Sequence, residues 1–172
     1  MRLETTRLVI RSFEPSDAEK WIALVNDPEV ARYTSSGTDA TMETFLGMLE
    51  RRRALERERG YAIWAVDLKD TGTFIGQCGL PLTKSAEPEI ALTYHLDKRV
   101  WGSGYATEAA TAVLAYAFGT LVIERVVALV RRENIASRRV IEKCGMRYVG
   151  SASQHGLVDL KYVAEREWWK GE

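Results

Sequence analysis

The 172-residue chain is short of several things that would place it in particular classes. Its two cysteines, Cys78 and Cys144, are too few for a disulfide framework, and neither stands in a metal-ligand spacing such as C-x-x-C. Such thiols read as reduced and partly buried, which points to a cytoplasmic protein. The two histidines, His95 and His155, have no ligand-like neighbours, so no metal is implied. Four prolines and thirteen glycines exclude collagenous and low-complexity chains. No apolar run approaches the ~20 residues needed to cross a bilayer. The first seven residues, Met1-Arg2-Leu3-Glu4-Thr5-Thr6-Arg7, alternate charged with apolar side chains and lack the apolar core of a secretory signal. Lys plus Arg and Asp plus Glu number 24 each, so no net charge favours nucleic acid or an anionic membrane as partner.

What is present suits a folded domain. Apolar residues make up 46% and charged residues 28%, enough apolar surface to offset the entropy of ordering. The length fits one domain over residues 1–172. Residues 7–13 read as a strand of β-branched and apolar side chains, stopped by Glu14-Pro15-Ser16-Asp17. Ala18, Trp21, Ile22, Leu24 and Val25 follow at helical spacing, and Asn26-Asp27-Pro28 ends that helix. Residues 34–41 are turn-rich. A long helix is expected over 42–59, with a stripe of Met42, Phe45, Leu46, Leu49 and Leu55. The charge run through residues 50–59 of that helix reads as a solvated face of mixed sign.

Strands over 61–68, 73–82 and 89–96, joined by short connections, form an antiparallel meander. A helix over 104–118, a strand over 125–131 and a short helix carrying Ala136, Val140, Ile141 and Cys144 come next. Gly145 stands at the C-terminus of that helix, and strands over 148–151 and 158–168 close the chain. The order β-α-α-β-β-β-α-β-α-β-β predicts an α+β domain on a mixed sheet of about seven strands. Its central strand–helix–strand unit should be parallel and right-handed.

One segment carries chemistry. Between the strand ending at Leu96 and the helix starting after Gly104 stand Arg99, Trp101, Gly102, Ser103 and Gly104, followed by Tyr105, Ala106 and Thr107. A helix start offers unpaired N–H groups and the positive end of the dipole. Glycines let an anion approach them, and Arg99 adds a charged donor, so the segment suits a pyrophosphate. The same glycines would also serve a plain strand-to-helix turn. The segment is not a Walker loop, because Tyr105 follows Gly104, and it lacks the third glycine of a dinucleotide fingerprint, where Thr107 stands.

Arg99-x-x-Gly102-x-Gly104-x-Ala106 resembles the pyrophosphate motif of the GNAT superfamily of acetyl-CoA-dependent N-acetyltransferases. The longer string from Trp101 to Ala109 is similar to the subgroup that holds the ribosomal-protein N-terminal acetyltransferases. Asn134-Ile135-Ala136-Ser137, continuing to Glu142-Lys143-Cys144-Gly145-Met146, resembles the family's second block, and Asn26-Asp27-Pro28-Glu29-Val30 a third. The element order matches from end to end.

The resemblance implies a fold in which two central parallel strands, here 89–96 and 125–131, splay so that pantetheine lies between them like an added strand. It implies acetyl-CoA as cosubstrate and a primary amine, either a peptide N-terminus or a small amine, as acceptor. Carrier binding falls on Leu96, Arg99, Gly102, Ser103, Gly104, Tyr105, Ala106, Thr107, Asn134 and Ser137. An N–H near Tyr94 or Leu96 would hold the thioester oxygen. Ser137 would assist the leaving thiolate, and Asn134 would both cap its helix and bond the pantetheine.

Two expected groups are missing. Ile141 replaces the tyrosine that many members use as general acid, and Ala91 replaces a glutamate often found on the strand. Glu89, two residues earlier on the same face, becomes the first candidate for the base and His95 the second. His155 reads as a loop residue. Glu29, Tyr33 and Trp64 are candidates for acceptor contacts. The chain is expected to be a monomer or homodimer. Two other readings stay open: an acyl-CoA-binding regulatory module without catalysis, and a nucleotide-phosphate binder resting on the glycine turn alone.

Overall fold

A computed structural model describes residues 1–34, 37–154 and 157–170. The chain begins with β1 (Arg2–Glu4) and β2 (Leu8–Arg11), an antiparallel pair with Leu3 opposite Ile10. The sequence pattern anticipated only the second of these. A 3-10 turn, Pro15–Asp17, leads into α1 (Ala18–Asn26). Pro28 does more than end that helix. It stands at the first position of a four-residue helix, α2 (Pro28–Ala31), which Asp27 caps by accepting the Glu29 N–H. Helix α3 (Met42–Arg59) runs between a Thr41–Thr44 capping box and Gly60, whose φ of 77° supplies the left-handed C-terminal turn.

The meander β3 (Ile63–Leu68), β4 (Phe74–Gly79) and β5 (Thr93–Leu96) completes a five-stranded antiparallel sheet in the order β1-β2-β3-β4-β5. Helix α4 (Tyr105–Gly119) crosses to β6 (Arg125–Arg131), and α5 (Ile135–Lys143) leads to β7 (Arg147–Gln154) and β8 (Leu157–Glu165). These last strands form a second sheet, ordered β6-β8-β7. The described residues therefore carry eight strands in two ladders, where the pattern gave about seven in one. The expected strand over 89–96 is divided. Ile90 bridges Leu82, Ala91 makes a single parallel bridge to Val127, and the regular strand starts only at Thr93.

Strand alternation sorts the core onto two faces. Trp64, Val66, Ile75 and Cys78 face α4, which packs Ala109, Ala110, Val113, Leu114 and Ala117 against them. Alanines let the helix lie close to the sheet. On the other face Phe13, Ala65 and Phe74 meet Trp21 and Leu24 of α1 and Phe45, Met48 and Leu49 of α3. The apolar stripe of α3 is thus turned from the expected one, since Met42 and Leu46 are half exposed. The charged Arg11 also lies on this face. Its guanidinium pairs with Asp17 (2.7 Å) and Asp67 (2.6 Å), both buried, and so ties the entry to α1 onto the sheet.

Candidate active site

The gap between the two ladders is the first component of the site. Leu92 N–H donates to Val127 O (2.8 Å) and Val127 N–H to Ile90 O (2.9 Å), and among the described residues no further backbone bond joins β5 to β6. Alternation turns the N–H groups of Tyr94 and Leu96 on one strand, and of Leu129 and Arg131 on the other, toward this gap. Two carbonyls at its mouth are already answered. Trp101 Nε1–H donates to Leu96 O (2.8 Å), and Asn134 N–H to Arg131 O (3.0 Å). The donors left open line a slot with the hydrogen-bonding pattern of a missing strand.

The second component stands at the end of β5. Asp97 caps a 3-10 turn, Lys98–Val100, and the exposed Arg99 guanidinium folds back onto it with Nη2–Oδ2 at 2.6 Å. Gly102 (φ 77°) and Gly104 (φ 83°) both adopt the left-handed conformation that L side chains avoid. Nothing lies within 4 Å of where a Cβ on Gly102 would stand. Glu108 N–H closes the first turn of α4 onto Gly104 O, leaving the N–H groups of Tyr105, Ala106 and Thr107 without intrahelical partners.

Arg7 was not singled out in the sequence, yet it braces this loop. Its Nε pairs with Glu108 Oε2 (2.7 Å), its Nη1 donates to Ser103 O (3.0 Å), and its guanidinium lies 4.4 Å over the Tyr105 ring. A row of free N–H groups at this helix start has the chemistry that suits an anion, and Arg99 and Arg7 stand beside it, each paired with a carboxylate.

Across the gap, Asn134 caps α5 by accepting Ser137 N–H (3.1 Å), and its side-chain amide nitrogen has no partner among the described residues. The Tyr94 hydroxyl donates to Ser137 O (3.0 Å) and lies 2.8 Å from Ser137 Oγ. Burial pushes the Tyr94 hydroxyl well above the ordinary phenol range. This bridge joins β5 to the first turn of α5 behind the slot. Ile141 is 2% exposed and packs in the core, so nothing at that position can reach the slot as an acid.

Glu89, Ala91, Thr93 and His95 share the opposite face by alternation. The Glu89 carboxylate accepts from Lys161 Nζ (2.5 Å) and lies 3.9 Å from Arg125 Nε, beside a small apolar patch of Ala91, Val127 and Val163. His95 Nδ1 faces Gln77 Nε2 at 3.1 Å. Gln77 Oε1 already accepts from Trp21 Nε1–H (3.0 Å), and an indole can only donate. The amide nitrogen therefore donates to Nδ1, and the His95 proton sits on Nε2. Burial, helped by the positive charge of Arg52, lowers His95 to about 4, so the ring is neutral at pH 7. A ring held in this form offers a donor, not a base, at Nε2.

Asp159 also went unnoticed in the sequence. It is buried near Arg131 (3.3 Å), and desolvation pushes its carboxyl upward. Trp64, expected as a pocket wall, is instead fully buried against α4 with Tyr116 edge-on at 5.7 Å. Tyr33 lines an open cleft of about 360 Å³ with Arg32, Arg131 and Glu133, whereas Glu29 pairs at the surface with Lys98 (3.2 Å). His155 lies outside the described residues.

This arrangement has counterparts in known proteins. Residues 7–147 match the family model described as an acetyltransferase (GNAT) domain. The chain is 29% identical over 153 residues to YoaA of Bacillus subtilis, described as an uncharacterized N-acetyltransferase, covering 89% of this chain and 86% of that one. A GNAT-family acetyltransferase from Bacillus anthracis superposes with a TM-score of 0.83 at 26% identity, over 97% of this chain and 99% of that one. A ribosomal-protein-S5-alanine acetyltransferase from Vibrio fischeri shares the fold at the same TM-score, 0.83, with 18% identity over 99% of each chain. A slot between diverging strands that ends on a glycine-opened helix start, carried by a chain whose sequence matches from Arg7 onward, makes this protein a member of the GNAT acetyltransferase family.

Proposed function

We propose that the protein transfers an acetyl group from acetyl-CoA to a primary amine by direct attack. The observation that carries this is the continuity of the site. Free N–H groups run from the α4 start along the edges of β5 and β6 and end beside the face that holds Glu89 and His95. The loop at Gly102 and Gly104, with Arg99 and Arg7, suits the diphosphate of the carrier. The edges of β5 and β6, with the Asn134 amide, suit its pantetheine amides.

In the transfer, the amine nitrogen bonds to the acyl carbon, the carbon–sulfur bond breaks, and one proton leaves the amine. The N–H of Tyr94 or Leu96 would hold the acyl oxygen as it gains charge. Ser137 Oγ, 2.8 Å from the Tyr94 hydroxyl, would assist the departing thiolate. A thiol of pKa ~8.5 leaves readily enough that the apolar Ile141 costs little. An acceptor amine is mostly protonated at pH 7, so a base is useful. Glu89 is the carboxylate of this face that lies beside the apolar patch, with Lys161 fixing its orientation. His95 serves by donating from Nε2, which withdraws it from the role of base.

Thiol release from acetyl-CoA, measured with a panel of primary amines, tests the reading. At least one amine should raise release well above the hydrolytic background. A chain that binds the carrier tightly and releases no thiol with any amine is a binding module, not an enzyme. Glu89→Gln should lower kcat by about 10²-fold with KM changed little. An unchanged kcat would take Glu89 out of the proton path.

A further inference from the structure

Four of the five tryptophans are met by a ring or a guanidinium. Trp21 tilts against Phe45 at 5.6 Å, Trp64 meets Tyr116 edge-on, Trp169 lies 5.2 Å from Phe118, and Arg147 stands 4.0 Å over Trp168. Trp101 is the exception. Among the described residues no ring and no guanidinium lies against it, and it is 53% exposed. A single exposed apolar side chain needs no explanation by itself, but this one is also fixed. Its backbone N–H donates to Lys98 O (3.2 Å) and its indole N–H to Leu96 O (2.8 Å). The ring therefore stands at the mouth of the slot, held by two hydrogen bonds, with apolar surface turned to solvent.

The bond to Leu96 O decides what can pass the ring. Along β5, alternation opens the N–H and C=O of Tyr94 and the N–H of Leu96 to an amide chain, whereas the next acceptor, Leu96 O, is already taken. Strand-like pairing along this edge ends there, so the part of a ligand beside Trp101 needs no amide. In acetyl-CoA the two amides of the pantetheine arm are followed, before the diphosphate, by a quaternary carbon bearing two methyl groups. The protein keeps the same order: the open peptide groups of β5, the Trp101 ring, then Gly102 and Gly104. That carbon is the one thick, wholly apolar point of a thin polar arm, and an unpartnered indole offers it an apolar wall.

We propose that Trp101 is a specificity-determining residue whose ring packs against the dimethyl carbon of the carrier arm. This rests on acetyl-CoA as the carrier, and it gives the mouth of the slot a group to recognise besides the diphosphate.

Calorimetric titration tests it without turnover. Wild-type protein should bind acetyl-CoA about 10-fold tighter than the analogue in which the dimethyl carbon is a plain methylene. Trp101→Ala should erase that preference, while Trp101→Phe, which keeps a ring and lacks the N–H, should keep part of it. Acetyl phosphopantetheine, which has the dimethyl carbon and no adenine, should lose as much affinity on Trp101→Ala as acetyl-CoA does. Equal binding of acetyl-CoA and the methylene analogue to the wild-type protein would overturn the proposal, as would a preference that survives Trp101→Ala or vanishes in Trp101→Phe. A loss confined to acetyl-CoA would give the ring to the adenine and overturn it too. Wild-type protein that binds neither thioester would sink the carrier itself, a failure distinct from equal binding of both. The wild-type comparison decides the matter even if a variant fails to fold.

Discussion

Replacing Gly104 by glutamate should abolish acetyl-CoA binding, with Kd raised at least 100-fold, in a protein that still folds. Two effects combine. Any side chain at φ 83° is strained, by on the order of 1–2 kcal/mol. The carboxylate then sets a negative charge against the helix start that is to receive a diphosphate. A Cβ here would stand 3.4 Å from Arg7 Nη2, so the new carboxylate would also draw Arg7 away from Ser103 and Glu108. Gly104→Ala separates the two effects, because it carries the strain without the charge and should lose far less affinity. Calorimetry beside thermal unfolding gives both quantities. Normal binding by the glutamate variant would place the carrier's diphosphate somewhere other than this turn.

The second large effect concerns stability. Arg11→Met should destabilise the fold by about 3–5 kcal/mol, because Asp17 and Asp67 would keep their charges in a buried site without a cation. For a chain of this size that corresponds to a Tm lower by roughly 10 °C. Urea denaturation measures it, and a loss below about 1 kcal/mol would mean that the pair behaves like a surface salt bridge. The pH dependence gives a second check. Burial alone would raise the Asp17 carboxyl, but the Arg11 guanidinium and the Glu14 N–H outweigh burial and hold it below the ordinary carboxylate range. Its stabilising contribution is therefore full above about pH 4 and is lost as pH falls through the folded value. In Arg11→Met the sign reverses. Protonation then relieves an unpaired buried charge, so the gap between variant and wild type should narrow in acid.

What could be read from the chain beforehand was whatever is written contiguously. The turn at Gly102 and Gly104 and the cap at Asn134 lie within a few residues of the helices they start. Thr41 and Gly60 bound α3 at the places their side chains, or lack of one, suggest. What escaped depends on distance or on phase. Arg7 meets Glu108 across 101 positions, and Tyr94 meets Ser137 across 43. Strand β1 is three residues of alternating charge, too short to show a period. Trp64 was placed at the acceptor side because aromatics line pockets, but alternation from the buried Val66 puts it under α4. The stripe of α3 was read through Met42, Phe45, Leu46, Leu49 and Leu55; Phe45 and Leu49 do pack, but Met48 joins them while Met42 and Leu46 stay half exposed. That same phase carries Arg52 inward, which a run of like-looking charges conceals.

The lone Ala91–Val127 bridge has a consequence for selectivity. Past it, each ladder presents an interior rim of peptide groups, and peptide groups greet any extended amide chain alike. The middle of the slot can therefore measure only length and thinness. On the proposed function, choice among carriers falls to its two extremities, the glycine turn on one side and the apolar cluster of Ala91, Val127 and Val163 on the other. Evolution could thus alter which acyl group is handed over, or to what, without disturbing the grip along the centre.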